Sequence, residues 1–424
     1  MIQEEFPNMK IRYFNFLAAA LVSVSAAFLN SCAFQSDPPA AQQPAQVSMQ
    51  KNFFLPEHIY AVPGVECNIY FRNILLTVNP DNFVFDVTCK FGRNDRKRWR
   101  FTPEKSDGGK SFPLTVQVFG RNGLAAEGTT TVHVAPANAG AGRDISILVV
   151  GDSLTAATVY PKRLHQLCQG ADNPHLTMVG THCGSGRKPQ PGGVAHEGYG
   201  GWTWKSFMTR YQDESKITDP KKKFSAKSKF LTLKDGKPAF DLKLYLAKNN
   251  NGKTPDVITF QLGVNDVFSA DENDLEKRIE TILANADKLI AAFRKEAPDA
   301  LIGVGFVTPG GNQDAFGKSY KCGQTAWGYF RNQFRLNQAM ARHFAGCKDK
   351  KLVMIPTNVN LDTENNFPTR QEPANSHNPA TVVRSNNGVH PSSAGYRQIG
   401  DTFYAWLKNQ LASSAFNPEP NQKQ

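Results

Sequence analysis

The feature of this 424-residue chain that most constrains its fold is a regular alternation in its C-terminal two thirds. Five apolar runs of strand length are separated there by stretches of helical periodicity. The runs are residues 145–150, 176–180, 257–262, 301–307 and 352–355. Strands that alternate with helices favour a parallel sheet covered by helices on both faces. The pattern therefore predicts a doubly wound, flavodoxin-like three-layer α/β domain over residues 144–413, with reactive groups at the carboxyl ends of its strands.

Residues 51–136 have the periodicity of strands alone. Apolar side chains occupy alternate positions in one segment, which predicts one buried face made of Phe83, Phe85, Val87, Cys89 and Phe91. Several short strands separated by turn signals predict a small all-β, Ig-like sandwich domain. A basic cluster follows this segment, at Arg93, Arg96, Lys97, Arg98 and Arg100. It fits either a solvated hairpin tip or a contact to anionic glycan or lipid headgroups.

Residues 1–31 have the pattern of an export signal, with two basic residues before an apolar run over 14–29. That run is shorter than the roughly 20 residues of a membrane span. It ends at Leu29-Asn30-Ser31-Cys32, which resembles a bacterial lipoprotein signal and implies lipidation of Cys32. A plain signal peptide and an uncleaved anchor are the alternatives. Residues 32–50 are Pro- and Gln-rich and predict a flexible tether, and residues 414–424 form a polar tail.

The seven cysteines are an odd number, and lipidation of Cys32 would leave six. In an oxidising compartment these six could form disulfides, although sequence alone does not fix the connectivity. The candidate pairs are Cys67 with Cys89, Cys168 with Cys183, and Cys322 with Cys347.

The net charge of +12 is concentrated in one place. Residues 210–253 carry twelve Lys or Arg and five Asp or Glu, and we interpret them as an insertion beside the catalytic face. This insertion is either a solvated lysine-rich loop or a contact for an acidic glycan. Nucleic acid is not expected as a partner, because an exported chain without a recognisable nucleic-acid-binding fold does not suit that role.

Polar motifs follow the predicted strands. The first strand ends at Gly151-Asp152-Ser153-Leu154 and the third at Gly263-Val264-Asn265-Asp266, while Gly388-Val389-His390-Pro391 precedes the last helix. A serine at a strand end can act as a nucleophile, and a histidine titrates near neutral pH as its base. Backbone N–H groups of Ser153 and of Gly201, within the 197–203 segment, and the Asn265 amide are candidate oxyanion donors.

These three motifs and the 197–203 segment occur in the order of the signature blocks of the SGNH (GDSL) hydrolases, a family of serine esterases and acetylesterases that this chain resembles over residues 145–410. The resemblance implies that Ser153 is the nucleophile, that His390 is the base, and that Ser153, Gly201 and Asn265 form the oxyanion hole. It implies no metal and no cofactor.

The chain departs from the family at Asn387, where the family has an aspartate that orients the histidine ring. Three interpretations remain open: Asn387 orients the ring, a backbone carbonyl does so in a Ser-His dyad, or Asp362 or Glu372 reaches in from the 357–386 loop. A fourth is an inactive enzyme, since an Asp-to-Asn change at this position in a serine protease costs about 10⁴ in turnover.

Two tryptophans and four histidines are further candidates for a role. The two tryptophans, Trp202 and Trp204, suit either the core or a sugar platform near the site. Four histidines have no metal-ligand spacing, and we expect a structural or surface role for them: His165, His175, His182 and His196.

Together these expectations describe a lipid-anchored protein of the cell envelope, on the outer membrane or the periplasmic or extracellular face. Its expected reaction is O-deacetylation of a carbohydrate through an acyl-enzyme on Ser153, and its expected partner is an acetylated glycan, which could be acidic. The alternatives are a short-chain lipid or aryl esterase and a non-catalytic glycan-binding lipoprotein with a degraded site.

Overall fold

The computed structural model describes residues 49–184, 186–219 and 223–413, which belong to one compact unit. The predicted signal over 1–31, the lipidation site at Cys32, nearly all of the 32–50 tether and the 414–424 tail lie outside the described residues. Within the described ranges, no helix has both the length and the apolar composition needed to cross a membrane.

Residues 49–134, called the β region below, fold into two sheets. Their elements in chain order are β1 (His58–Ala61), β2 (Cys67–Tyr70), α1 (Phe71–Ile74), β3 (Val84–Cys89), β4 (Arg93–Asp95), β5 (Arg98–Phe101), β6 (Ser111–Gly120) and β7 (Gly123–Val134). One sheet has the order β1-β7-β6-β3, in which only β1 and β7 are parallel, and the other is the antiparallel sheet β2-β5-β4. Apolar side chains of both sheets form one cluster around the buried Trp99.

The alternation predicted for the Phe83–Phe91 segment is present, but its apolar face is half-buried. Phe85, Val87 and Cys89 alternate with exposed neighbours along β3 and pack against the cluster of the β region. The burial is incomplete because β3 lies at the edge of its sheet, where a strand has a neighbour on one side only.

The remaining residues form the α/β region. Its strands are β8 (Asp144–Gly151), β9 (His175–Val179), β10 (Glu197–Gly198), β11 (Leu231–Lys234), β12 (Lys237–Phe240), β13 (Val257–Gln261), β14 (Leu301–Gly305), β15 (Leu352–Ile355), β16 (Thr369–Asn375) and β17 (Asn378–Ser385). Its helices are α2 (Ser153–Ala156), α3 (Val159–Leu167), α4 (Ser206–Thr209), α5 (Leu242–Asn249), α6 (Val264–Val267), α7 (Leu275–Glu296), α8 (Gln313–Tyr320), α9 (Ala326–Ala345) and α10 (Ser393–Ala412).

The five predicted strands pair in parallel in the order β9-β8-β13-β14-β15, and the short β10 extends the β9 edge beside the end of β8. This is the flavodoxin-like 2-1-3-4-5 order, so the predicted fold class is confirmed. The strands β13 and β14 are buried along their whole length, as expected for a sheet covered by helices on both faces. Helix α3 packs on α10, and α7 packs on α9. The order places β8 and β13, which carry the serine and asparagine motifs, side by side.

Buried hydrogen bonds join the β region to the α/β region. The Asn360 side-chain oxygen accepts from both the backbone and the side chain of Asn68, at 2.9 Å each. The Asn73 amide donates to the Leu361 carbonyl at 2.9 Å, and Val359 belongs to the apolar cluster of the β region. The loop after β15 is therefore held by both parts of the molecule.

The six cysteines in the described ranges are free thiols, so the structure contains none of the three expected disulfides. Cys322 and Cys347 lie before and after the 20-residue helix α9, which separates them by about 30 Å. Cys67 and Cys89 lie on different sheets, and the Cys67 thiol donates to the Tyr60 carbonyl. Cys168 is buried in the core, whereas the thiol of Cys183 donates to the Lys188 carbonyl.

Carboxylates pair with the whole basic 93–100 cluster and with part of the basic insertion. All five cations of the 93–100 cluster form ion pairs, among them Arg93 with Asp95 at 2.6 Å. In the insertion, Lys227 and Lys229 share Glu214 at 3.3 and 3.5 Å.

Candidate active site

The candidate nucleophile lies at the carboxyl edge of the sheet, as predicted. Ser153 is the first residue of α2 and follows directly on β8. Asp152 caps this helix, because its Oδ1 atom accepts the Leu154 N–H at 2.9 Å. The serine hydroxyl is thereby presented on a sharp strand-to-helix turn, half-exposed to solvent.

Glycine is required at the end of β8 by close packing. A Cβ atom on Gly151 would lie 1.9 Å from Thr155 Oγ1 and 2.9 Å from the Gln261 carbonyl. A Cβ atom on Gly198 of β10 would lie 2.6 Å from the Ala156 backbone nitrogen. These two glycines pair across the β8-β10 ladder, so they let α2 fold back against both strands.

The structure brings His390 onto Ser153 across 237 residues of chain: His390 Nε2 lies 2.8 Å from Ser153 Oγ. Burial lowers the pKa of His390, because desolvation disfavours the charged imidazolium. The neutral ring is the form that accepts a proton, so the environment favours the base over its protonated form near neutral pH.

Asn387 lies in the same turn as the histidine but does not hydrogen-bond to the ring. Its Oδ1 atom accepts the backbone N–H groups of Val389 and His390, at 3.1 and 2.9 Å. The structure thus gives Asn387 the role of shaping the histidine turn.

Asp362 and Glu372, the two acids that could replace the aspartate of the family, bond to groups other than the histidine ring. The Asp362 carboxylate accepts the backbone N–H groups of Glu364 and Asn365. Glu372 forms ion pairs with Arg370 and Arg384 on the β16-β17 hairpin. In the part of the chain that the structure describes, His390 Nδ1 forms no hydrogen bond, so the site consists of a Ser-His pair without an acid.

The second and third motifs meet at the candidate oxyanion hole. Residues 199–202 form a turn closed by a hydrogen bond from the Trp202 N–H to the Tyr199 carbonyl at 3.3 Å. Gly201 occupies its third position at φ +75°, which a type II turn requires and which favours glycine. The Asn265 amide, on α6 directly after β13, donates to the Trp202 carbonyl at 2.9 Å. Asn265 therefore fixes the turn and keeps a second amide N–H for an oxyanion.

The aspartates of the first and third motifs are buried supports. Burial raises the pKa of Asp152 and that of Asp266 to about 7 each, with their mutual repulsion adding to the shift of Asp152. Asp266 accepts the Trp204 N–H at 3.2 Å. Each aspartate thus holds backbone that carries or borders the site.

Glu197 is a residue of the site that sequence reasoning missed. Its carboxylate is fully buried and accepts hydrogen bonds from the Thr181 N–H and the Tyr245 hydroxyl, at 2.7 Å each, and from the Tyr199 hydroxyl. Tyr199 begins the turn that contains Gly201, so this network anchors residues 199–202, which we call the candidate oxyanion loop. The only signal in the sequence was the position of Glu197, directly before Gly198.

Two of the four other histidines belong to the same buried surroundings, which confirms a structural role for them. His182 Nε2 lies 2.8 Å from the Gly198 carbonyl, and His196 Nε2 lies 2.7 Å from Thr158 Oγ1. A surface role is therefore wrong for His182 and His196. His165 and His175 lie nearer the surface.

Trp202 and Trp204 are fully buried, so the sugar-platform interpretation is wrong for both. The Trp202 ring stacks on Tyr199 at 4.1 Å, and Trp204 packs against Phe260. The Trp202 ring thus packs on the first residue of the candidate oxyanion loop. The insertion contributes to the buried network that anchors this loop, because Tyr245, a partner of Glu197, lies on α5.

Comparisons with known proteins found the following similarities. Among solved structures, a family 3 carbohydrate esterase of Clostridium thermocellum is 18% identical and aligns over 64% of this chain and 100% of that chain, with a TM-score of 0.36. A carbohydrate esterase family 3 protein of Talaromyces cellulolyticus is 16% identical over 63% of this chain and 98% of that chain, with a TM-score of 0.34. No curated protein matches the sequence.

The model of the family described as GDSL-like Lipase/Acylhydrolase matches residues 147–403. That range contains all four motifs, from the serine turn on β8 to the histidine turn before α10. Because the match also spans more than half of the chain, this protein belongs to the family of GDSL-like lipases and acylhydrolases.

Proposed function

We propose that this esterase removes O-acetyl groups from a carbohydrate. The observation that carries the proposal is the 2.8 Å contact between Ser153 Oγ and His390 Nε2, at the edge of the sheet where Gly201 and Asn265 also lie. A serine with its base in hydrogen-bond reach and adjacent N–H donors is the arrangement that acyl transfer requires.

The geometry supports a two-step reaction. His390 Nε2 takes the hydroxyl proton as Ser153 Oγ attacks the acetyl carbonyl, and the oxyanion receives N–H groups of Ser153, Gly201 and Asn265. The C–O bond to the sugar then breaks, the sugar oxygen takes the proton from His390, and the acetyl group stays on Ser153. Water, deprotonated by His390, then attacks this ester. The bond from the acetyl carbon to Ser153 Oγ breaks, the proton on His390 returns to that oxygen, and acetic acid leaves and ionises to acetate.

The surroundings of the serine favour an ester on a bulky polar molecule. Gly200 and Gly201 are exposed, while Ser153 and His390 are half-buried, so an acetyl group on the outside of a polysaccharide can reach the hydroxyl. The proposal includes a location at the cell envelope, where polymeric glycans are available, because the segment that ends at Cys32 has the pattern of a lipoprotein signal.

The first experiment compares hydrolysis of 4-nitrophenyl acetate by the full chain and by Ser153→Ala. We expect loss of turnover by at least about 10³-fold in the variant. Equal rates would exclude Ser153 as the nucleophile. Release of acetate from acetylated glycans then tests the substrate class, and faster hydrolysis of 4-nitrophenyl octanoate than of the acetate would favour a lipid or aryl esterase.

A second candidate function follows from Asn387. Without an acid on His390, the chain could bind acetylated glycans without cleaving them. Binding of such a glycan by the full chain, together with no acetate release above the Ser153→Ala background, would support this candidate over the first.

A further inference from the structure

A cavity of about 710 Å³ lies between the β region and the α/β region. It is lined by residues 70–72, 78–81 and 95–98, by Phe83 and Phe85, and on the α/β side by Asn312 and residues 362–365. We call it the joint cleft. Its volume lies within the range of sites for small ligands, and such sites occur preferentially where domains meet.

The loops that line the joint cleft on the α/β side continue into residues bonded to the histidine turn. Gly311, the neighbour of the lining residue Asn312, donates to the Gly388 carbonyl at 2.9 Å. Ser392 donates its backbone N–H and its hydroxyl to the Asn366 carbonyl, at 2.9 and 3.1 Å, directly after the lining segment 362–365. The two α/β segments that line the cleft are therefore each one residue away from a hydrogen bond to a residue two positions from His390.

The charges around the joint cleft cancel. Four cations and four carboxylates line it: Arg72, Arg96, Lys97, Arg98, Asp81, Asp95, Asp362 and Glu364. Several already pair with one another or with neighbours, for example Lys97 with Glu364 at 2.5 Å and Arg96 with Asp81 at 3.7 Å. A charged ligand would meet as many like charges as opposite ones. A ligand rich in hydroxyl groups, which both donate and accept, matches such a mixed lining.

The cleft also offers apolar surface. Phe83 and Phe85 line it while only half-buried, and the Phe85 ring stacks in parallel on Phe71 at 4.7 Å. Val78 at the rim is 81% exposed. Flat aromatic surface next to paired polar groups suits the C–H face of a sugar ring, with its hydroxyl groups directed at the polar side.

We propose that the joint cleft binds the neutral sugar chain that extends from the acetylated residue at Ser153. This inference rests on the proposed function and adds to it an extended substrate without charge, recognised jointly by the β region and the loops beside His390. Arg96, Lys97 and Arg98 of the basic 93–100 cluster then belong to a charge-balanced sugar site, in place of an anion site.

The test measures kcat and KM for acetylated cello-oligosaccharides of two to six sugars. We expect kcat/KM of the full chain to rise with length. Phe83→Ala should raise KM for the longest substrate about three- to tenfold, with hydrolysis of 4-nitrophenyl acetate unchanged. Val84→Ala is the matched control, since Val84 is the next residue of the same segment, is exposed and does not line the cleft.

Val78→Asp provides a second variant at an exposed rim position, where folding does not depend on the side chain. It replaces apolar surface at the rim by a hydrated carboxylate, so the C–H face of a sugar ring loses that contact. We expect weaker binding of the acetylated hexamer to the Ser153→Ala chain in calorimetry. Absence of aryl acetate hydrolysis would reject the proposed function itself. Intact aryl esterase activity with no length dependence, a preference for acetylated oligogalacturonates, or equal effects of Phe83→Ala and Val84→Ala would overturn the joint cleft as a neutral sugar site.

Discussion

The Asn387 side chain supports His390 through the backbone of the histidine, because its Oδ1 atom accepts the His390 N–H at 2.9 Å. The same atom accepts the Val389 N–H at 3.1 Å, so it is fully engaged in shaping the turn. The ring nitrogen Nδ1 is left without a hydrogen bond among the described residues. The position three residues before the histidine therefore fixes the turn without supplying charge to the ring.

Replacing Asn387 by aspartate should raise activity. The carboxylate can keep both backbone hydrogen bonds through one oxygen and offer the other to His390 Nδ1, where its charge would stabilise the imidazolium formed during acyl transfer. We expect Asn387→Asp to raise kcat at least tenfold with 4-nitrophenyl acetate. Its control is Asn387→Ala, which removes the turn hydrogen bonds and should lower both kcat and Tm. An unchanged kcat in Asn387→Asp would mean that the native ring is already oriented and stabilised by another group.

The pH dependence of the native enzyme follows from the burial of His390. Burial lowers the pKa of His390 below its usual 6.5, so the neutral base persists to more acidic pH. The rate constant kcat/KM should therefore rise with pH and reach its half-maximum below pH 6.5. Asn387→Asp should shift this midpoint upward, since a nearby carboxylate favours the charged ring. A native midpoint above 6.5 would contradict the assignment of the desolvated His390 as the titrating base.

The sheet and the nucleophile position were predictable because their causes are local. Buried parallel strands are continuous apolar runs, and the predicted 352–355 and 257–262 runs match β15 and β13 to within one residue. Parallel strands align their carboxyl ends, so the motifs that follow β8 and β13 lie at one edge of the sheet, and the flavodoxin-like strand order makes them neighbours.

The supports of the site could not be predicted, because they depend on contacts between distant residues. Glu197 looks like any surface glutamate until Thr181 and Tyr245 are brought around it. Trp202 is buried by residues that fold over it, a fact that its own sequence surroundings do not encode. The candidate pair Cys322 and Cys347 does not form a disulfide, because the helix between the two residues holds them far apart.

Glu197 should be a positioning residue for the candidate oxyanion loop. Glu197→Gln replaces one carboxylate oxygen by an amide donor, which cannot accept from both the Tyr199 and Tyr245 hydroxyls as before. We expect kcat to fall about 10- to 100-fold, with KM changed less, because a displaced Gly201 turn weakens binding of the transition state. Tyr245→Phe removes one hydrogen bond and leaves Tyr199 in place, so it should cost much less in kcat. Equal losses in the two variants, matched by equal losses in Tm, would indicate a role in stability alone.

Asp152 makes folding stability depend on pH. Burial raises the pKa of Asp152 to about 7 in the folded chain, above the value of about 3.9 in an unfolded one. The folded state therefore holds this proton more tightly than the unfolded state. Protonated Asp152 stabilises the fold fully below pH 4, and this stabilisation is lost as the pH rises toward 7. Asp152→Asn keeps a neutral side chain at every pH. The Tm of Asp152→Asn minus the Tm of the native chain should therefore be about 2–4 °C larger at pH 8 than at pH 4.5. A Tm difference that does not vary with pH would contradict this.

Gly200 and Gly201 provide a matched pair that identifies the oxyanion glycine. Both are exposed, and a Cβ atom on either one would meet no heavy atom within 4 Å, so an added methyl group causes no clash. Only Gly201 has a positive φ, at +75°, which costs an alanine about 1–2 kcal/mol. Gly201→Ala should relieve this strain by turning the peptide and should lower kcat about 10²-fold if its N–H binds the oxyanion.

Gly200→Ala should leave kcat within about threefold of the native value, because its backbone lies outside the left-handed region and alanine fits there without strain. Thermal unfolding of both variants separates strain in the turn from loss of the oxyanion N–H. Loss of stability in Gly201→Ala without loss of kcat would show that the turn needs glycine for its shape alone. The reverse ranking, with Gly200→Ala the more damaging for kcat, would assign the oxyanion N–H to Gly200 and reject Gly201.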